Sequence, residues 1–322
     1  MADIERYYRE WIELSNKVAE RVETIRNLMF SPEECMLCEE VAASRGEYEE
    51  LFEKYRKKYE GFEKIINDMA LEAGGGGLFI YDAYCAACGN DVRMFYHGLG
   101  EDQFRQKGGL PGFREEFFCP VCGGQGRTRY ISSTVKRMYK RGMRVYMYEH
   151  DAPAYRAVSS FVLPKDLVGS EFFGAEYQSG EYVNGILHED AASLSFPDES
   201  FDLMVSLDVF EHIYFYERAF EEVKRVLKPG GKLLLTIPMQ INRDKTEDRA
   251  KIVDGKTVFI KEPVYHGGGS EAENGLLEYT TFGWDLVSKI RSVGFSKVDI
   301  RTYYSINEAY FGVLNFYFDI TK

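Results

Sequence analysis

Phe201-Asp202-Leu203-Met204-Val205-Ser206-Leu207-Asp208-Val209-Phe210-Glu211-His212 is followed by Glu222-Val223-Lys224-Arg225-Val226-Leu227-Lys228-Pro229-Gly230-Gly231-Lys232-Leu233-Leu234-Leu235-Thr236-Ile237, and this pair of stretches decides the fold. Each contains a short apolar strand, a helical pattern lies between them, and residues 228–231 make a turn before the second strand. Proline sets that turn and glycine supplies its backbone freedom. Strand, helix and strand in this order make the βαβ unit of a parallel sheet. Working outward, strands are expected at 144–148, 166–169, 185–188, 201–206, 232–237, 297–302 and 313–320. Residues 138–322 thus read as an α/β domain, a sheet with helices on both faces.

Ahead of it the pattern changes. Ile4, Tyr8, Trp11, Val18, Val22, Ile25 and Met29 mark a helical stripe, and Tyr48, Phe52, Tyr55, Tyr59, Phe62, Ile66 and Met69 mark another in steps of four and three. Residues 1–73 are therefore a helical N-terminal region, which Gly74 to Gly77 should end. Its helices offer a surface through which two copies could dimerise. Ser31-Pro32-Glu33-Glu34 reads as a helix start, with Ser as N-cap and Glu three residues later. Cys35 and Cys38 then fall just inside that helix, as core thiols.

Residues 78–130 carry the other four cysteines, in Cys85-Ala86-Ala87-Cys88-Gly89 and Cys119-Pro120-Val121-Cys122-Gly123. Two thiolates three positions apart can grip one side of a tetrahedral ion, and the following glycine lets the backbone turn beneath it. Two such pairs close a four-thiolate shell with no open position, so a small zinc-ribbon-like module with structural zinc is expected.

Net charge is −12 and no long Lys/Arg run is present, which argues against a nucleic-acid partner. Lys136, Arg137, Lys140, Arg141 and Arg144 are the one basic strip, read as the solvated face of a helix leading into the first strand. No stretch approaches the ~18 uninterrupted apolar residues of a membrane span, and the N-terminus lacks the pattern of a signal peptide. A cytoplasmic protein is expected.

The stretch from Asp190-Ala191-Ala192-Ser193-Leu194 through Phe201–Ile213 to Lys228-Pro229-Gly230-Gly231 and Ile237-Pro238 resembles the class I, Rossmann-like, S-adenosylmethionine-dependent methyltransferases, over most of 144–322. The four-cysteine module in front, and the ending from Tyr265-His266-Gly267 through Phe282-Gly283-Trp284-Asp285 to Gly294-Phe295, look like a bacterial subgroup associated with surface-glycan or small-molecule modification. The resemblance implies bound S-adenosylmethionine at the C-terminal ends of the strands. Glu171, just past the second strand, would accept the ribose hydroxyls. Asp190 and Ala191 would lie beside the adenine, and Glu149 and His150 in the turn after the first strand. Leu207 and Asp208 would close the fourth strand, where methyl donor and acceptor meet. The family's Gly-rich first turn is replaced here by Tyr148-Glu149-His150-Asp151-Ala152-Pro153, which leaves the contacts there open.

Methyl transfer from a sulfonium needs alignment, water exclusion and, for a hydroxyl acceptor, removal of a proton. His212, His266 and His188 are candidate bases. His212 could equally orient the site, or join Asp208 and Glu211 around a divalent cation, as a related family does with Glu, Glu and His. His266 lies in an insertion between Pro238 and Thr280, placed to act as a substrate lid. The expected activity is O-methylation of a sugar, nucleotide-sugar or other small polar acceptor. The alternatives are an RNA or protein methyltransferase that recognises its target through the zinc module, and a non-catalytic assembly protein.

Overall fold

Two long helices open the chain where apolar residues recur at helical spacing: α1 (Ala2–Met29) and α2 (Arg45–Glu72). Tyr48, Tyr55, Tyr59, Phe62, Ile66 and Met69 of α2 are all buried, so the steps of four and three mark the face that packs inward. Between the helices the chain departs from expectation. The capping box forms, with the Ser31 amide donating to Glu34 Oε2 (3.1 Å) and the Glu34 amide to Ser31 Oγ (3.4 Å). Yet it starts only the 3₁₀ turn Glu33–Cys35; Met36 is extended, and Cys38 opens a strand, β1 (Cys38–Ala42). The two thiols therefore do not share a helix face. Cys35 is buried, and Cys38 is half-buried.

The computed structural model describes residues 2–72, 78–97, 113–266 and 275–322. The expected helix stop at Gly74 to Gly77 lies outside the described residues, as do Gly267 to Gly269 and the side chain of His266. The chain forms two compact units: Met1–Ala42, Gly46–Thr134 and Thr302–Phe316 in one, and Ala43–Arg45, Val135–Arg301 and Tyr317–Lys322 in the other.

In the first unit, β2 (Leu78–Cys85) and β3 (Asn90–His97) form a hairpin in register from Leu78↔His97 to Cys85↔Asn90. The short helix α3 (Phe113–Glu116) leads to β4 (Phe117–Phe118), which pairs with β3. Helix α4 (Gly126–Met138) follows and crosses the boundary between units. Aromatic rings fill this core: Tyr59 stacks on Tyr304 at 4.1 Å, Tyr130 on Tyr303 at 3.6 Å, and Phe311 meets Tyr81, Phe113 and Phe117.

The second unit is the α/β sheet. Its strands are β5 (Val145–Met147), β6 (Leu167–Glu171), β7 (Tyr182–Val183), β8 (Ile186–His188), β9 (Phe201–Leu207) and β10 (Leu227–Thr236). Helices α5 (Pro153–Ser159), α6 (Tyr216–Val226) and α7 (Asp285–Ser292) connect them. The insertion after β10 carries the short pieces β11 (Glu247–Asp248), β12 (Ala250–Val253), β13 (Lys256–Phe259), β14 (Tyr265–His266), β15 (Leu276–Leu277) and β16 (Thr280–Thr281). The chain ends in β17 (Lys297–Ser305) and β18 (Tyr310–Thr321), whose 302–316 portion belongs to the first unit.

From β17 onward the order across the sheet is β17-β18-β10-β9-β5-β6-β8-β7. Pairing is parallel from β10 to β8, and antiparallel for β10 with β18 and for β7 with β8. Val145, Tyr146, Leu203, Met204, Leu233 and Leu234 are all at or near zero exposure, because both sheet faces are covered. The β7–β8 hairpin was not expected: Tyr182-Val183 is too short to register as a strand in the pattern. In β10, residues 228–231 bulge out between the pairs Leu227↔Phe201 and Lys232↔Leu203, with Gly230 at φ +75°. The basic strip around α4 is exposed, as its reading as a solvated face requires. No described helix is long and apolar enough to cross a membrane.

Candidate active site and metal centre

In a parallel sheet the strand order reverses where consecutive connections leave to opposite sides, and a crevice opens there at the carboxyl ends. Here the reversal lies at β5, flanked by β6 and β9. The carboxyl ends of β8, β6, β5, β9 and β10 carry, in that row, His188 to Asp190, Glu171, Tyr148 to Asp151, Leu207 and Asp208, and Thr236. The sequence-predicted cofactor residues are thus brought to one edge of the second unit.

Glu171 is the last residue of β6 rather than the first beyond it. Its Oε1 accepts the backbone N–H groups of His150 (2.8 Å) and Asp151 (2.9 Å). Oε2 has no partner among the described residues and is not buried, so one oxygen remains to receive a ligand. Burial raises its carboxyl above the usual range, and the Asp151 and His150 amides pull partly the other way. Those amides point at a carboxylate because the 148–153 turn closes without any left-handed residue, which is why it needs no glycine. A Cβ on Gly169 would fall 2.4 Å from the Tyr155 ring, and that ring in turn lies 4.4 Å from His150. Glu149 and His150 are both half-buried.

Asp190 forms its own turn: its Oδ1 accepts the Ala192 amide (2.8 Å) and its carbonyl the Ser193 amide (2.8 Å). Ala191 is buried. Beside it Glu189 accepts the Ser195 amide at 2.8 Å and the Ser195 hydroxyl. His188 is fully buried among Phe172, Phe173 and Tyr177. Its Nδ1 accepts the Phe173 amide (3.0 Å), so the lone pair a base would need is spent on packing the loop.

Asp208 sits just past β9 at φ +55°, a left-handed conformation that an Asp tolerates better than most residues. Its amide donates to the Thr236 carbonyl (3.0 Å), and the Thr236 hydroxyl donates to its Oδ1 (2.7 Å). Thr236 was not singled out in the sequence; a strand-terminal threonine carries no signal until its neighbour is known. Leu207 is buried beneath this turn.

Phe210–His212 forms a 3₁₀ turn. His212 Nδ1 faces the Leu277 carbonyl at 2.9 Å, which requires it to carry the proton. Its Nε2 lies 3.6 Å from Oε1 of Glu211, a carboxylate only 1% exposed. The Tyr279 amide donates to the Glu211 carbonyl (2.8 Å), so the returning end of the insertion is fastened on this turn. His266 is placed in β14, opposite Leu276. Asp208, Glu211 and His212 do not gather as a cation site: among the described residues, the one group of three or more His, Cys, Asp or Glu whose ligand atoms lie within 4.8 Å of one another is Cys85, Cys88, Cys119 and Cys122.

Those cysteines belong to the first unit. Cys85 Sγ and Cys122 Sγ are 3.8 Å apart, as are Cys88 Sγ and Cys119 Sγ. Disulfides are excluded at that separation. A tetrahedron with zinc–sulfur bonds of ~2.3 Å has edges of about 3.8 Å, so the donor set fits a tetrahedral thiophilic ion. Gly89 and Gly123 adopt φ +75° and +69°, and their amides close tight turns on the Cys85 and Cys119 carbonyls.

Residues 134–235 match the family described as "Methyltransferase domain". Phosphoethanolamine N-methyltransferase 2 of Caenorhabditis elegans is 44% identical over 72 residues, 22% of this chain and 16% of that protein. A glycine/sarcosine/dimethylglycine N-methyltransferase of Actinopolyspora halophila is 41% identical over 61 residues, 19% of this chain and 11% of that protein. The chain spans between 11% and 27% of the length of the curated relatives it matches. Among solved structures it is similar to an S-adenosylmethionine-dependent methyltransferase from Mesorhizobium loti, with a TM-score of 0.38, 14% identity, and coverage of 62% of this chain and 100% of that one. By the family match alone, residues 134–235 carry a methyltransferase domain.

Proposed function

We propose that the chain is an S-adenosylmethionine-dependent methyltransferase that methylates a hydroxyl of a sugar, nucleotide-sugar or similarly small polar acceptor. The observation that carries this is Glu171, at the switch point within the matched segment, with one oxygen fixed by two amides and the other turned outward. When bound, the cofactor supplies an electrophilic methyl on a sulfonium. Glu171 would hold the ribose hydroxyls, Asp190 and Ala191 would flank the adenine, and the 149–151 turn would line the methionine end. Asp208, pinned by Thr236, would sit where the acceptor enters, with the insertion over it. The names of two relatives specify small polar amine acceptors for those proteins, which supports a small acceptor over RNA or protein. The four thiols would hold one structural zinc.

His212 Nδ1 donates to the Leu277 carbonyl and so fastens the insertion, while its Nε2 keeps a lone pair. In this reading proton removal falls to His266 or to the acceptor itself, with His212 Nε2 as the rival base. Calorimetry should show one site per chain for S-adenosylmethionine or its demethylated product, and absence of both heat and thermal shift overturns the reading. With an acceptor found by screening sugars, nucleotide-sugars and amines against labelled cofactor, His266→Ala should cut turnover roughly 10²-fold at unchanged cofactor affinity. If His212→Ala abolishes turnover and His266→Ala does not, the assignment is reversed.

A further inference from the structure

We infer that Arg129 is the buried counter-charge of the four-cysteine centre, an inference that rests on the metal reading above. A divalent ion held by four thiolates leaves two net negative charges, and charge is not buried without compensation. Arg129 has the converse difficulty. It is 0% exposed, the largest fully buried side chain among the described residues.

Its guanidinium donates to the backbone carbonyls of Glu308 (2.7 Å) and Ala309 (3.2 Å) and lies 4.8 Å over the Tyr310 ring. These are dipoles and a quadrupole, not a charge. No carboxylate of the described residues is within ion-pair distance of it, and Nε has no acceptor among them. A buried arginine is expected to be paired; the sulfur cluster lies beside its stem, and the Glu308 carboxylate, which acts on the same Tyr310 ring, makes no ion pair with it.

The geometry sets the two together. A Cβ on Gly124 would meet Arg129 Cγ at 3.0 Å and Cys122 Sγ at 3.4 Å, so arginine stem and sulfur bracket one small space. No hydrogen bond joins the guanidinium to a sulfur; Arg129 acts through space, as a positioning residue for the centre. Because the same guanidinium holds the Glu308 and Ala309 carbonyls, the charge of the centre is coupled to the turn at 306–310. Loss of the ion would change the charge beside Arg129 and loosen its hold on that turn.

The test uses the full chain loaded with Co²⁺, whose thiolate charge-transfer absorption reports the site, in competition with a chelator. Arg129→Met should bind the ion 10- to 100-fold more weakly, the usual range for a group just outside the ligand shell, and Arg129→Lys should recover most of that loss. Equal affinity in wild type and Arg129→Met overturns the inference alone. A wild type without the cobalt–thiolate band overturns the metal reading, and this inference with it. Should Arg129→Met not fold, hydrogen exchange of the wild type decides: amides of 307–310 should exchange faster after chelation, and unchanged exchange there overturns the coupling.

Discussion

Glu171 turns one oxygen toward two backbone amides and the other outward, so its fold and ligand roles can be separated by substitution. Glu171→Gln keeps an oxygen for the amides and removes the charge. Cofactor affinity should fall by roughly 1–2 kcal/mol, the difference between charged and neutral hydrogen bonds, with the thermal midpoint of the apo protein little changed; equal affinity in calorimetry removes Glu171 from the ribose site. A second carboxylate governs stability instead. Glu63 accepts the Tyr304 hydroxyl and the Gly312 amide, both at 2.8 Å, and burial pushes its carboxyl up to about 7. A carboxyl raised in the folded state binds its proton more tightly there than when unfolded. Its contribution is complete below its ordinary value of 4.5 and is lost as pH rises through about 7. The wild-type melting temperature should therefore fall between about pH 5 and about pH 8 more than that of Glu63→Gln. Parallel curves for the two proteins would show that Glu63 does not set this dependence.

At the scale of elements, the cysteine knuckles and the 31–38 segment carry similar Cys-x-x-Cys spacing and meet different fates. In each knuckle a glycine with positive φ follows the second cysteine, and the turn folds back on itself. After Cys38 there is no glycine, and the backbone extends into β1. Metal analysis should find one zinc per chain, lost in Cys85→Ser and in Cys122→Ser but retained in the Cys35→Ala, Cys38→Ala double variant. Zinc loss in the double variant would place the N-terminal pair at a metal. What the pattern made legible follows the same logic. The apolar runs at 201–207 and 232–236 and the α2 stripe could be read because burial on a fixed face repeats in sequence. The three-residue life of the helix at Glu33, the Tyr182–Val183 strand and the part played by Thr236 could not. The strand is too short to show a period, and the other two depend on a partner far along the chain, Thr236 meeting Asp208 and Cys35 giving its carbonyl to the Asn307 amide.

For the whole molecule, the long-range partner with the largest consequence is the segment 302–316. It follows the last helix of the α/β sheet, yet its side chains complete the core of the first unit. Tyr303, Tyr304, Ile306, Tyr310 and Phe311 are each at most 2% exposed. Tyr303 stacks on Tyr130, Tyr304 on Tyr59, and Phe311 packs edge-on to Phe113. Loss of one large buried aromatic costs about 3–5 kcal/mol, whereas a domain's entire stability is about 5–15 kcal/mol. Removing four such rings together with Ile306 exceeds what the remaining core can bear, even with an ion on the cysteines. A fragment of residues 1–134 supplied with zinc should therefore show no cooperative thermal transition and little near-ultraviolet circular dichroism, although it contains every knuckle cysteine and both long helices. The same fragment joined by a flexible linker to residues 302–316 should regain both signals. If the bare fragment melts cooperatively, the helices and the metal suffice for that unit. The C-terminal strands would then be an addition to its core rather than the part that closes it.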